Sequence, residues 1–163
     1  MQIKKIFDVL NNFKVRYLVC GGLAVNIYGI PRMTSDIDLL LDFDETNILN
    51  FENATKYLLF KSLIPLPINN FINKEDRIKI INEKNLIAYS YFNSLAGYMN
   101  IDVLLDTPVE FNDLWKQKTE RKLGETSIYL VSIEDLIDLK KYANRIQDQK
   151  DVLLLSKLLK NGN

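Results

Sequence analysis

The sequence predicts an α+β protein in which strands and helices alternate early and helices dominate the end. Apolar residues recur at helical spacing in residues 2–12 and again in residues 152–159. Between these segments, short apolar runs such as residues 17–20 stop at glycine, proline or asparagine, as buried strands do. We therefore expect a single domain over residues 1–163.

Capping and turn residues set the predicted element boundaries. Asp44 and Ser132 each precede a helical pattern, as N-caps do, and Thr107 is followed by proline and then by glutamate at the third position. Helices are predicted at residues 2–12 and 23–28, after Asp44 through Ile48, Phe51, Leu58 and Leu59, at 74–83, from Thr107, from Ser132 to Tyr142, and through Val152, Leu155, Leu158 and Leu159. Strands are predicted at residues 17–20, 36–41, 86–92, 99–105, 116–122 and 126–131, with turns at 93–97 and 124–125.

The composition excludes several kinds of chemistry. The chain has no histidine and a single cysteine, Cys20, which excludes histidine-based catalytic triads, a disulfide framework and an ordinary zinc site. Carboxylates and lysines remain, and they suit hard cations such as Mg²⁺ or Mn²⁺. The net charge of zero argues against coating long nucleic acid. The lack of a signal-peptide pattern and of any apolar run of about 20 residues predicts a cytoplasmic protein without a membrane span.

Three aspartates are the candidate metal ligands. Asp36 and Asp38 lie two apart in one predicted strand, so both carboxylates project from the same face. An isolated pair of this kind is more often a solvated pair at a strand entrance. Asp102 lies within the apolar run 100–105, where an unpaired carboxylate is costly, although an exposed position on an edge strand would also accommodate it. If the two strands are neighbours, the three acids converge and hold one or two Mg²⁺ ions.

A glycine pair lies close to these acids in the predicted topology. Gly21 and Gly22 stand between a strand and a helix, where bare backbone amides form an anion site, although a tight turn also explains them. Arg32, just before the acidic strand, either faces a phosphate or pairs with a nearby acid. Lys140 lies on the apolar side of its helix, where it either reaches a triphosphate or extends to solvent.

One further group of charges lies near the junction of the last two predicted helices. Arg145, Asp148 and Asp151 follow Lys140 closely in the sequence. We interpret these three residues as a structural charge network.

Three segments of the chain together resemble the nucleotidyltransferase superfamily related to polymerase β. LVCGGLAVNIYGIPRMTSDIDLLLDF resembles its signature, which is a Gly-Gly or Gly-Ser pair, about a dozen residues, and then Asp-x-Asp/Glu in an apolar strand. NIDVLL resembles the strand that carries the third acid. SIEDLIDLKKYANRIQDQKDVLLL resembles the end of small bacterial members, including domains akin to the AbiEii toxins of abortive-infection systems.

The resemblance implies a mixed β-sheet flanked by helices, with a helical C-terminal portion. It implies that the catalytic, metal-binding acids are Asp36, Asp38 and Asp102. The nucleotide-binding residues would then be Gly21, Gly22, Arg32 and Lys140. The implied reaction is attack of an acceptor hydroxyl on the α-phosphate of an NTP such as ATP, with Mg²⁺ or Mn²⁺ as cofactor and Asp102 as a proton acceptor.

The function classes left open differ in their acceptor and in whether catalysis occurs at all. We expect the acceptor to be tRNA or a protein, with the chain acting as the toxin of a toxin–antitoxin or defence pair beside a cognate partner. The alternative is a catalytically inactive module, such as an antitoxin or regulatory partner. Transfer to a small antibiotic is permitted by the implied fold but has no support from individual residues. No acceptor-binding domain is expected, so either the acceptor is small or a partner supplies that domain.

Overall fold

The computed structural model describes residues 2–93 and 100–161, which form one mixed sheet with helices around it. The strands are β1 (Tyr17–Val19), β2 (Asp36–Leu41), β3 (Lys61–Ser62), β4 (Ala88–Phe92), β5 (Asn100–Leu104), β6 (Thr119–Leu123) and β7 (Thr126–Leu130). The helices are α1 (Gln2–Asn12), α2 (Gly21–Ile27), α3 (Glu45–Tyr57), α4 (Lys74–Lys84), α5 (Phe111–Lys116), α6 (Ile133–Ala143) and α7 (Ile146–Asn161), with a 3-10 turn at Ile68–Phe71. The expected mixed sheet, flanking helices and helical end are confirmed.

The sheet order is β3-β4-β5-β2-β1-β7-β6, which places the two long central strands side by side. β2 runs parallel to β5 and antiparallel to β1, and β1 runs parallel to β7. β4 adds antiparallel to β5, and the hairpin of β6 and β7 closes the opposite edge. The centre of the sheet therefore consists of β5, β2 and β1, the strands that carry or border the predicted site.

One face of the sheet is buried under aromatic contacts. Alternate residues of the central strands are buried on this face: Tyr17, Val19, Ile37, Leu39, Tyr89, Tyr91, Ile101 and Val103. α1 covers it through Phe7 on Tyr17 (ring centroids 5.6 Å apart), α3 through Phe51 on Tyr91 (5.5 Å), and the 3-10 turn through its last residue on Tyr89. Burial of these rings is the main stabilising contribution to this side of the sheet.

The opposite face is only partly covered. α6 packs here through Leu136, which is buried and borders the same cleft as Cys20. Over β2, β5 and β4, several residues of this face are half-buried: Asp36, Asp38, Asn100, Asp102, Ala88, Ser90 and Phe92. The two-residue period of the strands thus separates an apolar, covered face from a polar, open one.

Two of the predicted helix caps are confirmed and one is wrong. The Asp44 side chain accepts hydrogen bonds from the amides of Thr46 and Asn47, and Ser132 accepts one from the amide of Asp135. The helix expected from Thr107 begins instead at Phe111. The Thr107 hydroxyl donates to the carbonyl of Val109, so a local turn uses the group that would have capped the helix.

Other boundaries differ by a few residues. α2 begins at Gly21, two residues earlier than predicted, because the glycine pair is itself helical. Lys116 and the two residues after it are not in β6, since α5 extends to Lys116. α3 ends at Tyr57, and Leu59 adopts a positive φ of 61° that ends the helical run. Most of the turn predicted at 93–97 and Met99 lie outside the described residues. Within the described ranges, no helix combines the length and apolarity that a bilayer span requires.

Candidate active site

The strands of the predicted acids are adjacent in the sheet, and Asp38 lies directly opposite Asp102. β2 and β5 pair in parallel with Asp38 in register with Asp102, and Asp36 in register with Asn100. Because Asp36 and Asp38 share a face and paired residues share a face, all three carboxylates project from the open side of the sheet. The strand pairing therefore places the three aspartates at neighbouring backbone positions, as expected from the sequence.

The glycine pair lies against the Asp38 carboxylate. Gly21 has φ +59°, and a Cβ built there would lie 1.7 Å from Asp38 Oδ2. The amide of Gly22 donates to the same oxygen at 3.3 Å, and the Cys20 amide donates to the Asp38 carbonyl at 2.9 Å. Glycine is required at position 21 for two reasons: it adopts the left-handed backbone without strain, and it has no Cβ to clash with the Asp38 carboxylate. The bare-backbone turn and the acidic strand are therefore in direct contact.

A cleft of about 560 Å³ opens in front of these groups. Its polar lining residues include Asp38, Asp102, Lys140 and Asp148. Its apolar lining residues come from α4, β4, β5 and α6 and the loop before β4: Ile81, Leu86, Ile87, Ala88, Leu104, Leu136, Leu139 and Ala143. This size is in the range of sites for small molecules and cofactors.

Burial and mutual repulsion act on the central acid. Burial raises the pKa of Asp38, and the charges of Asp102 and Asp36 raise it further, while the Gly22 amide and Lys140 act in the opposite direction. Within residues 2–93 and 100–161, no salt bridge reaches Asp36, Asp38 or Asp102. In the described part of the chain these acids therefore have no directly paired cation, and Lys140 acts on Asp38 only from beyond ion-pair distance.

The donor set fits a divalent cation, but the three side chains are not preassembled around one. In the described residues, no three side chains of the metal-binding types lie in a ready-made cluster. Asp36 instead has its carboxylate hydrogen-bonded to the Ser35 hydroxyl at 3.0 Å. Carboxylate oxygens are the ligands that Mg²⁺ and Mn²⁺ prefer, so the chemistry of the three acids suits either ion.

The two candidate phosphate-binding cations are both paired with acids. Lys140 is 4% exposed, and its Nζ lies 2.8 Å from Asp148 Oδ1 and 2.9 Å from Asp151 Oδ2. Arg32 Nη1 lies 2.7 Å from Asp151 Oδ2. For Arg32 these positions match the ion pair with a nearby acid, one of the two alternatives left open by the sequence. Lys140 does not extend to solvent, and its contact with a triphosphate stays a prediction.

The predicted structural charge network is confirmed. Arg145 donates through Nε to Asp148 Oδ2 at 2.7 Å, and Asp148 and Asp151 are 1% and 2% exposed. Burial raises the pKa of Asp148, but the hydrogen bonds and charges of Arg145 and Lys140 outweigh it and lower the pKa below its usual range.

Sequence reasoning missed three features of the cleft. Cys20 lines it as the N-cap residue of α2, and burial raises its thiol pKa well above the usual value. Tyr142 on α6 donates to Asp106 after β5 at 2.8 Å, which links two walls of the cleft. Ser90 on β4 lies in register with Asp102. These contacts depend on strand register and helix docking, for which the sequence carries no local signal.

Three solved structures are similar to the chain over almost its full length. The lincosamide antibiotic adenylyltransferase LnuA, in its lincomycin-bound form, matches with a TM-score of 0.60 and 18% identity, covering 96% of each chain. ANT(2″)-Ia in complex with adenylyl-2″-tobramycin matches with a TM-score of 0.62 and 15% identity, covering 96% of this chain and 87% of that one. An antigenic nucleotidyltransferase-like protein from Paracoccidioides brasiliensis matches with a TM-score of 0.58 and 17% identity, covering 96% of this chain and 74% of that one.

The chain has the nucleotidyltransferase fold. At identities below 20% the likeness establishes the fold and not the reaction. No family profile and no curated protein matches the sequence. The predicted nucleotidyltransferase fold is thus confirmed, while the assignment to the AbiEii-like branch has no counterpart among these structures.

Proposed function

We propose that this protein is a metal-dependent nucleotidyltransferase that moves NMP from an NTP to an acceptor hydroxyl. The observation that carries the proposal is the register of Asp38 with Asp102, on the face that also carries Asp36 and next to the Gly21–Gly22 turn. Acids that repel each other on an open face, with no ion pair to a cation of the described residues, suit the binding of a divalent metal. The nucleotidyltransferase fold supports the same chemistry.

Each group has a separate role in this proposal. Asp36, Asp38 and Asp102 would hold Mg²⁺ or Mn²⁺, and a bound cation supplies charge stabilisation for the attacking and leaving oxygens. The Gly21–Gly22 turn lets the triphosphate approach the backbone, because no side chain intervenes. Lys140, Arg32 and Arg145 carry three positive charges against the two carboxylates of Asp148 and Asp151, which leaves this network at the cleft with one net positive charge.

The reaction balances with these groups alone and the two substrates. The acceptor oxygen forms a bond to the α-phosphorus, and the bond from the α-phosphorus to the bridging oxygen of the β-phosphate breaks. Pyrophosphate leaves with that electron pair, and Asp102 accepts the proton of the acceptor hydroxyl. In this proposal the positive charges of Lys140 and Arg145, which line the cleft, stabilise the departing negative charge.

Among acceptors, the cleft favours a small hydroxyl-bearing molecule. A cleft of about 560 Å³ with many apolar lining residues suits a compact organic molecule. The net charge of zero offers little long-range attraction for tRNA. Two of the similar structures contain an antibiotic or its adenylyl derivative: LnuA is lincomycin-bound, and ANT(2″)-Ia is in complex with adenylyl-2″-tobramycin. The predicted tRNA or protein acceptor, the toxin role with its cognate partner, and the cytoplasmic location stay predictions.

The test is transfer of labelled nucleotide by the purified protein. Each α-labelled NTP is incubated with Mg²⁺ or Mn²⁺ and with lincosamides, aminoglycosides, total tRNA or whole-cell protein, and both labelled product and pyrophosphate are measured. We expect label in the small-molecule arm, with loss on metal chelation and in Asp102→Asn. Label in tRNA or protein alone would restore the acceptor predicted from the resemblance.

A catalytically inactive binding module is the second candidate. The observation that favours it is that no three metal-binding side chains of the described residues form a ready-made cluster. Calorimetric titration with NTP and Mn²⁺ separates the two. Micromolar binding that is lost in Asp38→Asn supports the enzyme, and no binding of any NTP supports the inactive module.

A further inference from the structure

The ion-pair network behind the cleft connects the last helix to the glycine turn. Asp151, on α7, accepts from Arg32 Nη1 at 2.7 Å and lies 2.9 Å from Lys140 Nζ. The Gln147 side chain donates to its other oxygen at 3.2 Å. One buried carboxylate is therefore shared by α6, by α7 and by the loop that leads into β2.

Arg32 extends this connection to the glycine turn. A Cβ built on Gly22 would lie 3.1 Å from Arg32 Cζ and 2.8 Å from the Thr34 hydroxyl, so the loop rests directly on Gly22. The backbone amide of Arg32 is also fixed, because it donates to Asn26 Oδ1 at 2.7 Å. The guanidinium thus lies between the turn on one side and Asp151 on the other.

We infer that Asp151 is a positioning residue, which holds Arg32 against Gly22 and thereby fixes the glycine turn relative to the acidic strand. The inference rests on the proposed nucleotide site for its effect on binding, but its structural part stands on the contacts alone. Arg32 in this arrangement acts on the nucleotide through the turn and is not itself the phosphate ligand that the resemblance implied.

Stability alone does not explain the network. Charges as buried as Lys140, Asp148 and Asp151 lose hydration, and well-packed apolar side chains in their place are often as stable or more so. What apolar side chains lack is direction: a forked guanidinium held by a carboxylate fixes distance and orientation together. Such a contact suits a loop that must present backbone amides at one place.

The test uses two single variants, their combination and a matched control. Asp151→Asn removes the charge that holds Arg32, and Arg32→Met removes the other partner. Asp138→Asn is the control, because it removes an ion pair with Lys141 on α6. Both side chains of that pair are exposed, whereas Asp151 is buried. Amide hydrogen exchange over residues 30–35 and affinity for NTP with Mn²⁺ are measured for all of them.

We expect exchange in residues 30–35 to accelerate by about 10-fold in both single variants and to stay unchanged in β7 and in the control. NTP affinity falls by about 10-fold in each, and the double variant loses no more than the larger single loss, because both substitutions break one contact. If Arg32 instead binds phosphate directly, Asp151→Asn releases it, and binding stays equal or tightens while Arg32→Met weakens it. That pattern overturns the inference.

The two levels of the proposal fail separately. If the wild-type protein binds no NTP, the nucleotide site is wrong, and the exchange rates alone decide whether Asp151 positions the loop. Unchanged exchange in residues 30–35 of Asp151→Asn overturns the positioning role whatever the affinities. If that variant does not fold, Arg32→Met carries the same two measurements, since its side chain is 21% exposed and Asp151 keeps Lys140 as a partner.

Discussion

Two groups of aspartates in this protein have opposite surroundings. On α7, Asp148 and Asp151 are almost fully buried and share three cations at 2.7 to 2.9 Å. On β2 and β5, Asp36, Asp38 and Asp102 are half-exposed, and no cation of the described residues pairs with them. The first group is electrostatically satisfied within the chain. The second group has no ion-paired partner among the described residues, and a bound cation would supply the charge that it lacks.

This difference indicates that the acids of α7 stabilise the fold, whereas those of β2 and β5 are candidates for a functional role. A satisfied buried network limits motion and holds neighbouring segments, whereas unsatisfied acids that repel each other reduce the stability of the free protein. Charged side chains that a folded protein leaves without partners often mark functional sites. Substitutions should therefore change stability in opposite directions in the two groups.

The largest expected effect is on transfer by Asp102→Asn. The variant loses a metal-binding oxygen and the proposed proton acceptor, and several kcal/mol of transition-state stabilisation correspond to about 1000-fold in rate. Its free energy of unfolding without metal should equal or exceed that of the wild type, because repulsion with Asp38 is relieved. Transfer kinetics and urea unfolding in chelator measure both. A variant that remains active, or one that unfolds more easily, contradicts the contrast between the two groups.

In the paired group, Lys140→Met should destabilise the protein by about 3 kcal/mol, since it leaves two buried carboxylates with fewer cations. The matched control is Lys141→Met on the same helix, whose pair with Asp138 is exposed and is worth about 0.5 kcal/mol. Urea unfolding midpoints and slopes measure both values. Equal losses in the two variants would show that burial does not distinguish these pairs.

The sequence predicted the central features because they are local. The strand Asp36–Leu41 and the caps Asp44 and Ser132 follow from period-two alternation and from capping chemistry, and the structure agrees with them. The neighbouring positions of the acid strands followed from the resemblance. Thr107 failed because its hydroxyl has a competing local acceptor, the Val109 carbonyl, that a capping pattern does not reveal.

The partners of the cations were less accessible to sequence reasoning. Whether Lys140 faces a phosphate or an acid depends on how α7 docks on α6, and Arg32 meets Asp151 across 119 positions of the chain. The rotamer that turns Asp36 to Ser35 is likewise a property of the free protein that no motif specifies. Strand register, helix docking and side-chain rotamers could not be predicted from local sequence patterns.

A loss of stability similar to that of Lys140→Met is expected from alanine at the glycine turn. Gly21→Ala combines a left-handed backbone with a clash against Asp38, and should cost about 3 kcal/mol and most of the transfer activity. Gly29→Ala is the control, because φ is +96° there but no atom lies within 4 Å of the added Cβ, so only backbone strain of about 1 kcal/mol remains. Unfolding and transfer are compared for the pair. Similar losses in both would mean that the contact with Asp38 contributes nothing.

The smallest expected effect is in the pH dependence of stability, where the two groups should differ in sign. The folded pKa of Asp38 is raised, so the folded state binds more protons than the unfolded state between the ordinary value of about 4 and the folded value. Stability is therefore lost as pH rises through that window. In chelator, the advantage of Asp38→Asn over the wild type should grow with pH and level off above the folded pKa.

For Asp148 the folded pKa is lowered, so its stabilising contribution is present above about pH 4 and is lost as pH falls through the folded value. Asp148→Asn should accordingly be least stable relative to the wild type near neutral pH, and the difference should shrink on acidification. Urea unfolding of both variants between pH 3 and 8 gives the two difference curves. Curves of the same slope would mean that the acids of β2 and β5 are compensated by charges within the chain. The electrostatic argument for a bound divalent cation would then be wrong.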